Sequence, residues 1–206
     1  MARAPRMMAD LIIAWLERFE LDELKNEKQA ALTDSILLKI NRRAHQACRR
    51  NRRDQALRDG QLALNQAIRW PVRSTDQDTD AENGTNYGAA LTHFYAGALS
   101  LACDDMRAAL GHFRLSEGMF GDLEKHRAES IAFAGTALAQ AGLKKWSPAL
   151  EAYRQSIALI DQLINETAPL NSSLKDLRRQ IVHTIGVILE WYEQEPDSHT
   201  SQESPA

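Results

Sequence analysis

Apolar side chains recur along this chain at intervals of three and four residues, and no convincing run alternates apolar with polar residues. This period is that of an amphipathic α-helix, whereas a half-buried strand would alternate with a period of two. Glycine and proline cluster between the periodic segments, where they end helices. The pattern predicts an all-α protein with eight helices, at about 8–21, 27–50, 53–69, 85–103, 105–119, 125–141, 147–165 and 173–193.

The first predicted helix follows two arginines and contains a short apolar run from Leu11 to Leu16, which Glu17 and Arg18 interrupt. A secretory signal or a membrane span needs a longer apolar run. We therefore expect an amphipathic capping helix within residues 1–26 of a cytoplasmic protein that does not enter a membrane.

Two segments look too polar to enter a core. Residues 71–84, PVRSTDQDTDAENG, carry four acids and one arginine and are predicted to form an exposed loop. Residues 194–206 contain no large apolar side chain and are predicted to be a disordered tail. Between these segments, one apolar stripe predicts that helix 173–193 covers the last helix pair; its members include Leu174, Leu177, Ile181, Ile185 and Ile188.

A row of side chains at positions i, i+4 and i+7 recurs three times, so that each row lies on one helix face. The rows are Ala56, Gly60 and Ala63; Ala109, Phe113 and Ser116; and Ala149, Tyr153 and Ser156. The helix before each row carries a small residue where two helices can approach closely, and an aromatic ring of the partner helix would fill the gap. These small residues are Ala44, Gly97 and Gly135.

This pattern resembles the tetratricopeptide repeat, a helix–turn–helix unit of about 34 residues. The matching units lie at about 37–70, 90–123 and 128–161, with Gly142 in the turn of the last. Gly60 and Arg43 depart from the family pattern in the first unit. The resemblance implies a solenoid of helical hairpins over residues 27–193, closed by terminal capping helices, that binds other proteins. The alternative is an unrelated all-α fold with ordinary helix packing.

Composition and sequence motifs mainly exclude classes of function. Hydrophobic residues make up 44% and charged residues 26% of the chain, and the formal net charge is −3, so no global charge attracts nucleic acid or an anionic membrane. The two cysteines, Cys48 and Cys103, are expected to be free thiols, with a disulfide as the alternative. No phosphate-binding glycine loop or metal-ligand motif occurs, so we expect no enzymatic activity, no cofactor and no metal.

The strongest local feature is basic. Seven arginines and one aspartate occur between residues 42 and 58. Guanidinium groups bind carboxylates and phosphates in a bidentate way, so this surface is a candidate docking site for an acidic protein partner or for nucleic acid. It is equally a candidate for a solvated face that the acidic loop or tail neutralises. The candidate residues are Arg42, Arg43, Arg49, Arg50 and Arg53.

The resemblance to tetratricopeptide repeats also implies a concave groove lined by the first helix of each unit. The implied groove residues are Asn41, His45 and Arg49 in the first unit and Phe94, Ala98 and Leu101 in the second. The apolar members would alternatively pack against the N-terminal helix. We therefore expect a non-catalytic adaptor or regulatory subunit that binds a protein or peptide, with nucleic-acid binding as the second hypothesis and sensing of a small signalling peptide as the third.

Overall fold

The computed structural model describes residues 4–21, 32–69, 79–166 and 172–194, which form helices and the short turns between them. Within these ranges there is no strand, as the hydrophobic period predicts. A π-helical turn, Glu17–Leu21, continues the first helix. The α-helices are α1 Ala4–Leu16, α2 Leu32–Arg49, α3 Arg53–Arg69, α4 Thr79–Ala102, α5 Met106–Asp122, α6 His126–Gly142, α7 Trp146–Glu166 and α8 Ser172–Gln194.

Helix α4 corrects the prediction of an exposed loop at 71–84. The helix begins at Thr79, so residues 79–84 are helical, while residues 71–78 lie outside the described ranges. The first two turns of α4 contain no large apolar side chain, and hydrophobic periodicity cannot detect a helix there. The predicted tail after Gln194 also lies outside the described residues.

Four connections share one turn geometry. Each has three residues between two helices, and its middle residue adopts a left-handed backbone conformation with φ between 55° and 66°. The amide of the third turn residue bonds to a carbonyl five residues earlier, as in Lys145 to Gln140 at 2.9 Å, which closes the helix end. The left-handed residues are Asn51, Asp104, Glu124 and Lys144.

The predicted role of Gly142 in the last turn is therefore wrong. Gly142 ends α6 without a positive φ, and Lys144 takes the left-handed position. At Gly142 a Cβ atom would lie 2.6 Å from the sulfur of Met106, so a larger residue there would require the Met106 side chain to move.

Phe113 fills the space between α4 and α6. Its ring is fully buried, and a Cβ atom would lie 2.9 Å from the ring at Gly97 and 2.7 Å from it at Gly135. The pairing of Gly97 with Phe113 agrees with the repeat pattern. At Gly135 the ring comes from the preceding helix pair and not from Tyr153, the aromatic residue in the same predicted unit. At Gly60, Leu99 of α4 occupies the place of the missing ring, 2.8 Å from a Cβ there.

Buried serines connect the helices of two pairs in the same way. The Ser116 hydroxyl donates to the Ala90 carbonyl at 3.0 Å, and the Ser156 hydroxyl donates to the Ser130 carbonyl at 2.8 Å. Both bonds span 26 residues, and the two serines are 40 residues apart. The spacing of these helix pairs is therefore longer than the roughly 34 residues of the family that the sequence resembles.

The terminal helices lie in different places. Helix α8 contacts α7, and its side chains Leu174, Leu177 and Ile181 are fully buried; its role as a cap on the last helix pair stays a prediction. The side chains of Ile185 and Ile188 lie outside the described set. The N-terminal helix, expected as a cap within 1–26, packs mainly against α4 and α6, so it covers the sides of these helices and not the end of the array. Residues 22–26 are not among those described.

Candidate functional site

Helix α1 and the π-helical turn lie across α2, α4 and α6, which are the first helices of the three helix pairs, and across α8. We term the surface formed by these four helices the first-helix face. Apolar contacts join α1 to α4 and α6, and polar contacts join α1 and its π-helical extension to α2 and α8. The apolar side of this segment is almost inaccessible to solvent, with at most 2% exposure at Ile12, Trp15, Leu16 and Phe19. A helical segment of the chain itself therefore fills the surface.

Two carboxylates fix this segment to α2 and α4. Glu17 Oε1 accepts hydrogen bonds from Arg42 Nε and from the Tyr95 hydroxyl, each at 2.9 Å. Asp10 accepts from His45 Nε2 at 3.1 Å, and its other oxygen lies 3.7 Å from Arg49 Nε. The acidic side chains of the segment are thus directed at the basic surface of α2.

Further contacts fix the segment to α6 and α8. The indole Nε1 of Trp15 donates to Gln180 Oε1 at 2.6 Å. The Trp15 side chain is itself almost completely buried. Arg127 donates to the carbonyl of Phe19 at 2.8 Å, which satisfies a main-chain acceptor in the π-helical turn. The segment therefore combines an apolar side, two acidic anchors and a tryptophan with a specific polar partner.

The predicted arginine surface is divided among several partners. Arg42 and Arg49 face Glu17 and Asp10, as described above. Arg43 forms a bidentate pair with Asp59 of α3, at 2.7 and 2.9 Å. Arg53 begins α3 and lines a pocket together with Cys103, whereas Arg50 is exposed and has no carboxylate partner among the described residues. Among the described residues, the neutralising acids come from α1, the π-helical turn and α3; the predicted tail and residues 71–78 of the predicted loop lie outside the described ranges.

The predicted groove residues are mostly internal. Asn41 is 3% exposed and donates to Thr92 Oγ1 at 3.2 Å, so it joins α2 to α4. Phe94 and Leu101 are fully buried, and the Phe94 ring packs edge-on against Phe113 with centroids 5.6 Å apart. These two side chains therefore belong to the core. Of the predicted set, His45, Arg42 and Arg49 contact the bound segment directly.

Several residues of this interface have no sequence motif that would have indicated them. Tyr95 and Gln180 bind a segment that is 78 and 165 residues away in the chain. Asp10 and Glu17 lie seven positions apart and so share one side of a helix, which is the single local sign of a two-point acidic anchor.

Electrostatic shifts at the interface follow from burial. Burial lowers the pKa of His45, which outweighs the opposing effect of Asp10, so the imidazole is neutral at neutral pH. Its Nε2 then donates to Asp10 as a neutral group, and its buried Nδ1 has no hydrogen-bond partner in the described part of the chain. Burial likewise raises the pKa of the Tyr95 phenol, with the nearby Glu17 carboxylate adding to the effect.

Two other clusters of titratable groups lie on α4 to α6. His93 and His112 approach to 3.1 Å between their Nδ1 atoms, and burial lowers the pKa of both. Burial raises the pKa of Glu117 to about 7, and the Thr136 hydroxyl donates to this carboxyl. Among the residues that the structure describes, no group of three or more His, Cys, Asp or Glu side chains could hold a metal ion.

Replacing Glu117 with glutamine is expected to stabilise the protein at alkaline pH. Because the carboxyl has a higher pKa in the folded state, folding keeps a proton that the unfolded chain releases, and stability falls as pH rises from about 4.5 to about 7. Glutamine accepts the same hydrogen bond without a charge. We expect Glu117→Gln to gain about 1–3 kcal/mol over wild type at pH 8, and to show little difference at pH 4.5.

Urea unfolding at both pH values would measure this difference. Glu151→Gln, at an exposed position on α7, is the control and should change stability little at either pH. Equal gains for Glu117→Gln at pH 4.5 and pH 8 would contradict the raised pKa.

No described helix has the length and apolar character needed to cross a membrane. Comparison of the chain with protein-family models, with curated proteins and with solved structures gives no match.

Proposed function

We propose that this protein is a non-catalytic scaffold, similar in plan to tetratricopeptide-repeat adaptors, whose first-helix face binds an amphipathic helix with acidic side chains from another protein. The observation that supports the proposal is the segment already bound there. Helix α1 with its π-helical extension has the chemistry of such a ligand, and it holds the place that a partner helix would take.

The chemistry of the face favours a ligand of this kind. Its apolar part buries Trp15 and Leu16 almost completely, and aromatic and aliphatic anchors in closed pockets provide most of the affinity in helix-in-groove recognition. Its polar part receives Asp10 through His45 and Glu17 through Arg42 and Tyr95, and such polar and charged contacts fix the register and orientation of the bound helix.

The arginines favour a protein partner over nucleic acid. Arg42, Arg43 and Arg49 each lie against a carboxylate of the chain, so a phosphate backbone would have to replace these pairs before it gained contacts. Of the seven arginines between residues 42 and 58, Arg50, Arg52, Arg53 and Arg58 have no carboxylate partner among the described residues and remain for a phosphate. An acidic helix that replaces α1 would instead meet the same cations in the same arrangement.

Competition with α1 predicts how binding should behave. A tethered segment acts at an effective concentration of about millimolar, so a partner in solution binds the intact protein far more weakly than it binds a protein whose α1 has been released. Weakening α1 by Trp15→Ala should therefore increase the affinity for an external helix. We expect the gain to be about tenfold or more.

A labelled synthetic peptide of residues 4–21 would test this expectation by fluorescence anisotropy. The Trp15→Ala protein should bind the peptide more tightly than wild type does, and salt should weaken the binding. A peptide with Asp10→Asn and Glu17→Gln should bind less tightly, and one with Leu16→Asp should not bind. Met7→Ala is the matched control, because Met7 lies on α1 and is 69% exposed. The Met7→Ala protein should bind the peptide as weakly as wild type does.

Two results would refute the proposal. One is the absence of peptide binding to the Trp15→Ala protein although its other helices remain folded. The other is tight, salt-dependent binding of single-stranded or duplex nucleic acid by the wild-type protein, which would favour the arginine surface as a phosphate site. Proteins that co-purify with the Trp15→Ala variant and are released by the peptide would identify the partner.

A further inference from the structure

The two cysteines of the chain meet in one pocket, although 55 positions separate them in the sequence. The pocket has a volume of about 200 Å³ and lies where α1, the end of α2, the start of α3 and the end of α4 come together. Both cysteines are free thiols; Cys48 is buried and Cys103 is partly exposed. The polar and sulfur-containing residues of its lining are Arg6, Cys48, Asn51, Arg53, Cys103 and Asp104.

The surroundings make the two sulfurs chemically different. Both sulfur-bearing side chains line the pocket, and Arg53 lines it beside them. Arg6 adds positive charge, and its Nη2 is held by the side-chain oxygen of Asn51 at 2.9 Å. Thiolates form at sites that combine hydrogen-bond donors with cations and partial exposure. Cys103 combines nearby cations with partial exposure, whereas Cys48 is buried.

The titration behaviour agrees with this geometry. The hydrogen bond from Cys48, aided by Arg53 and Arg6 and opposed by burial, lowers the pKa of Cys103 to about 6. The same hydrogen bond, together with burial and the Asp10 carboxylate, raises the pKa of Cys48. At neutral pH, Cys103 is therefore the nucleophile of the pair, and Cys48 keeps its proton.

We propose that Cys103 and Cys48 form an oxidation site for small hydroperoxides, in which Cys103 reacts first and Cys48 then converts the product into an intramolecular disulfide. The pocket is open enough for a small oxidant, and the two arginines can stabilise the anion that leaves. This inference does not depend on the function proposed for the first-helix face.

Each step balances. The Cys103 thiolate attacks one oxygen of hydrogen peroxide, the O–O bond breaks, and hydroxide leaves, so that sulfur is oxidised to a sulfenic acid by two electrons. The sulfur of Cys48 then attacks Cys103, the S–O bond breaks, and the departing hydroxide takes the proton of Cys48 to form water. The product is one disulfide between α2 and the turn after α4.

The test uses the reduced full-length protein with one equivalent of hydrogen peroxide, followed by thiol counting and intact mass. Wild type is expected to lose both thiols and about 2 Da as a monomer, and dithiothreitol should restore both. Cys48→Ser should stop at a dimedone-reactive product that is about 16 Da heavier. The Cys103→Ser protein should consume peroxide at least about tenfold more slowly than wild type does.

A measurement on the wild type alone avoids dependence on folded variants. Brief alkylation with iodoacetamide and peptide mapping should label Cys103 well before Cys48, with a pH midpoint near the lowered pKa. Arg53→Gln should move this midpoint upward, which a purely structural arginine would not do. Equal labelling of both cysteines, equal peroxide rates in both serine variants, or disulfide-linked dimers in place of the intramolecular product would overturn the proposal.

Discussion

The Gly135→Leu variant is expected to lose about 3 kcal/mol or more of folding free energy, a large part of the 5–15 kcal/mol typical of a folded domain. A Cβ atom at this position would lie 2.7 Å from the ring of Phe113. The ring is fully buried and is also confined by α4, since a Cβ atom at Gly97 would lie 2.9 Å from it. Relief would require α4, α5 and α6 to separate, with loss of the contacts between them.

Chemical denaturation followed by circular dichroism would measure the loss. Gly111→Leu is the matched control, since it places the same side chain on α5 where nothing lies within 4 Å. A double variant with Phe113→Ala should recover part of the loss, because the cavity left by the ring accepts the leucine. Equal stabilities of Gly135→Leu and Gly111→Leu would show that the helices accommodate the change.

The sequence predicted the helical class and much of this crossing, because both depend on local spacing. Apolar residues at helical intervals define the helices, and small residues such as Gly97 indicate where two helices approach closely. Local spacing could not predict which aromatic side chain packs against Gly135. Phe113 and Tyr153 occupy the same place in their rows, and the choice between them depends on how one helix pair rotates against the next.

The candidate site was predictable only in part. The basic surface of α2 was evident from composition, and His45, Arg42 and Arg49 do contact the bound segment. Their acidic partners were not evident, because a periodic stripe indicates that one side of a helix is covered and does not identify the covering element. Cys48 and Cys103 illustrate the same limit, since nothing in a separation of 55 residues indicates that two thiols meet.

Trp15→Ala is expected to release α1 while the other helices stay folded. The Trp15 side chain is 1% exposed, and its removal leaves a cavity and a Gln180 oxygen without its hydrogen-bond donor. The free energy that holds α1 in place should therefore fall by about 3–5 kcal/mol. The contacts within and between α4, α5, α6 and α7 do not involve Trp15, and buried groups such as Phe113 and Ser156 keep their partners. The cost should therefore appear first as undocking of α1.

Hydrogen exchange measured by mass spectrometry would locate the effect. Exchange should accelerate in α1 and the π-helical turn, and in the parts of α2, α4 and α6 that they cover, while α7 keeps slow exchange because α1 does not cover it. Met7→Ala should leave exchange unchanged, since its side chain is largely exposed. Uniform acceleration across all helices would mean that α1 is an inseparable part of the core, and a partner helix could then not replace it without unfolding the protein.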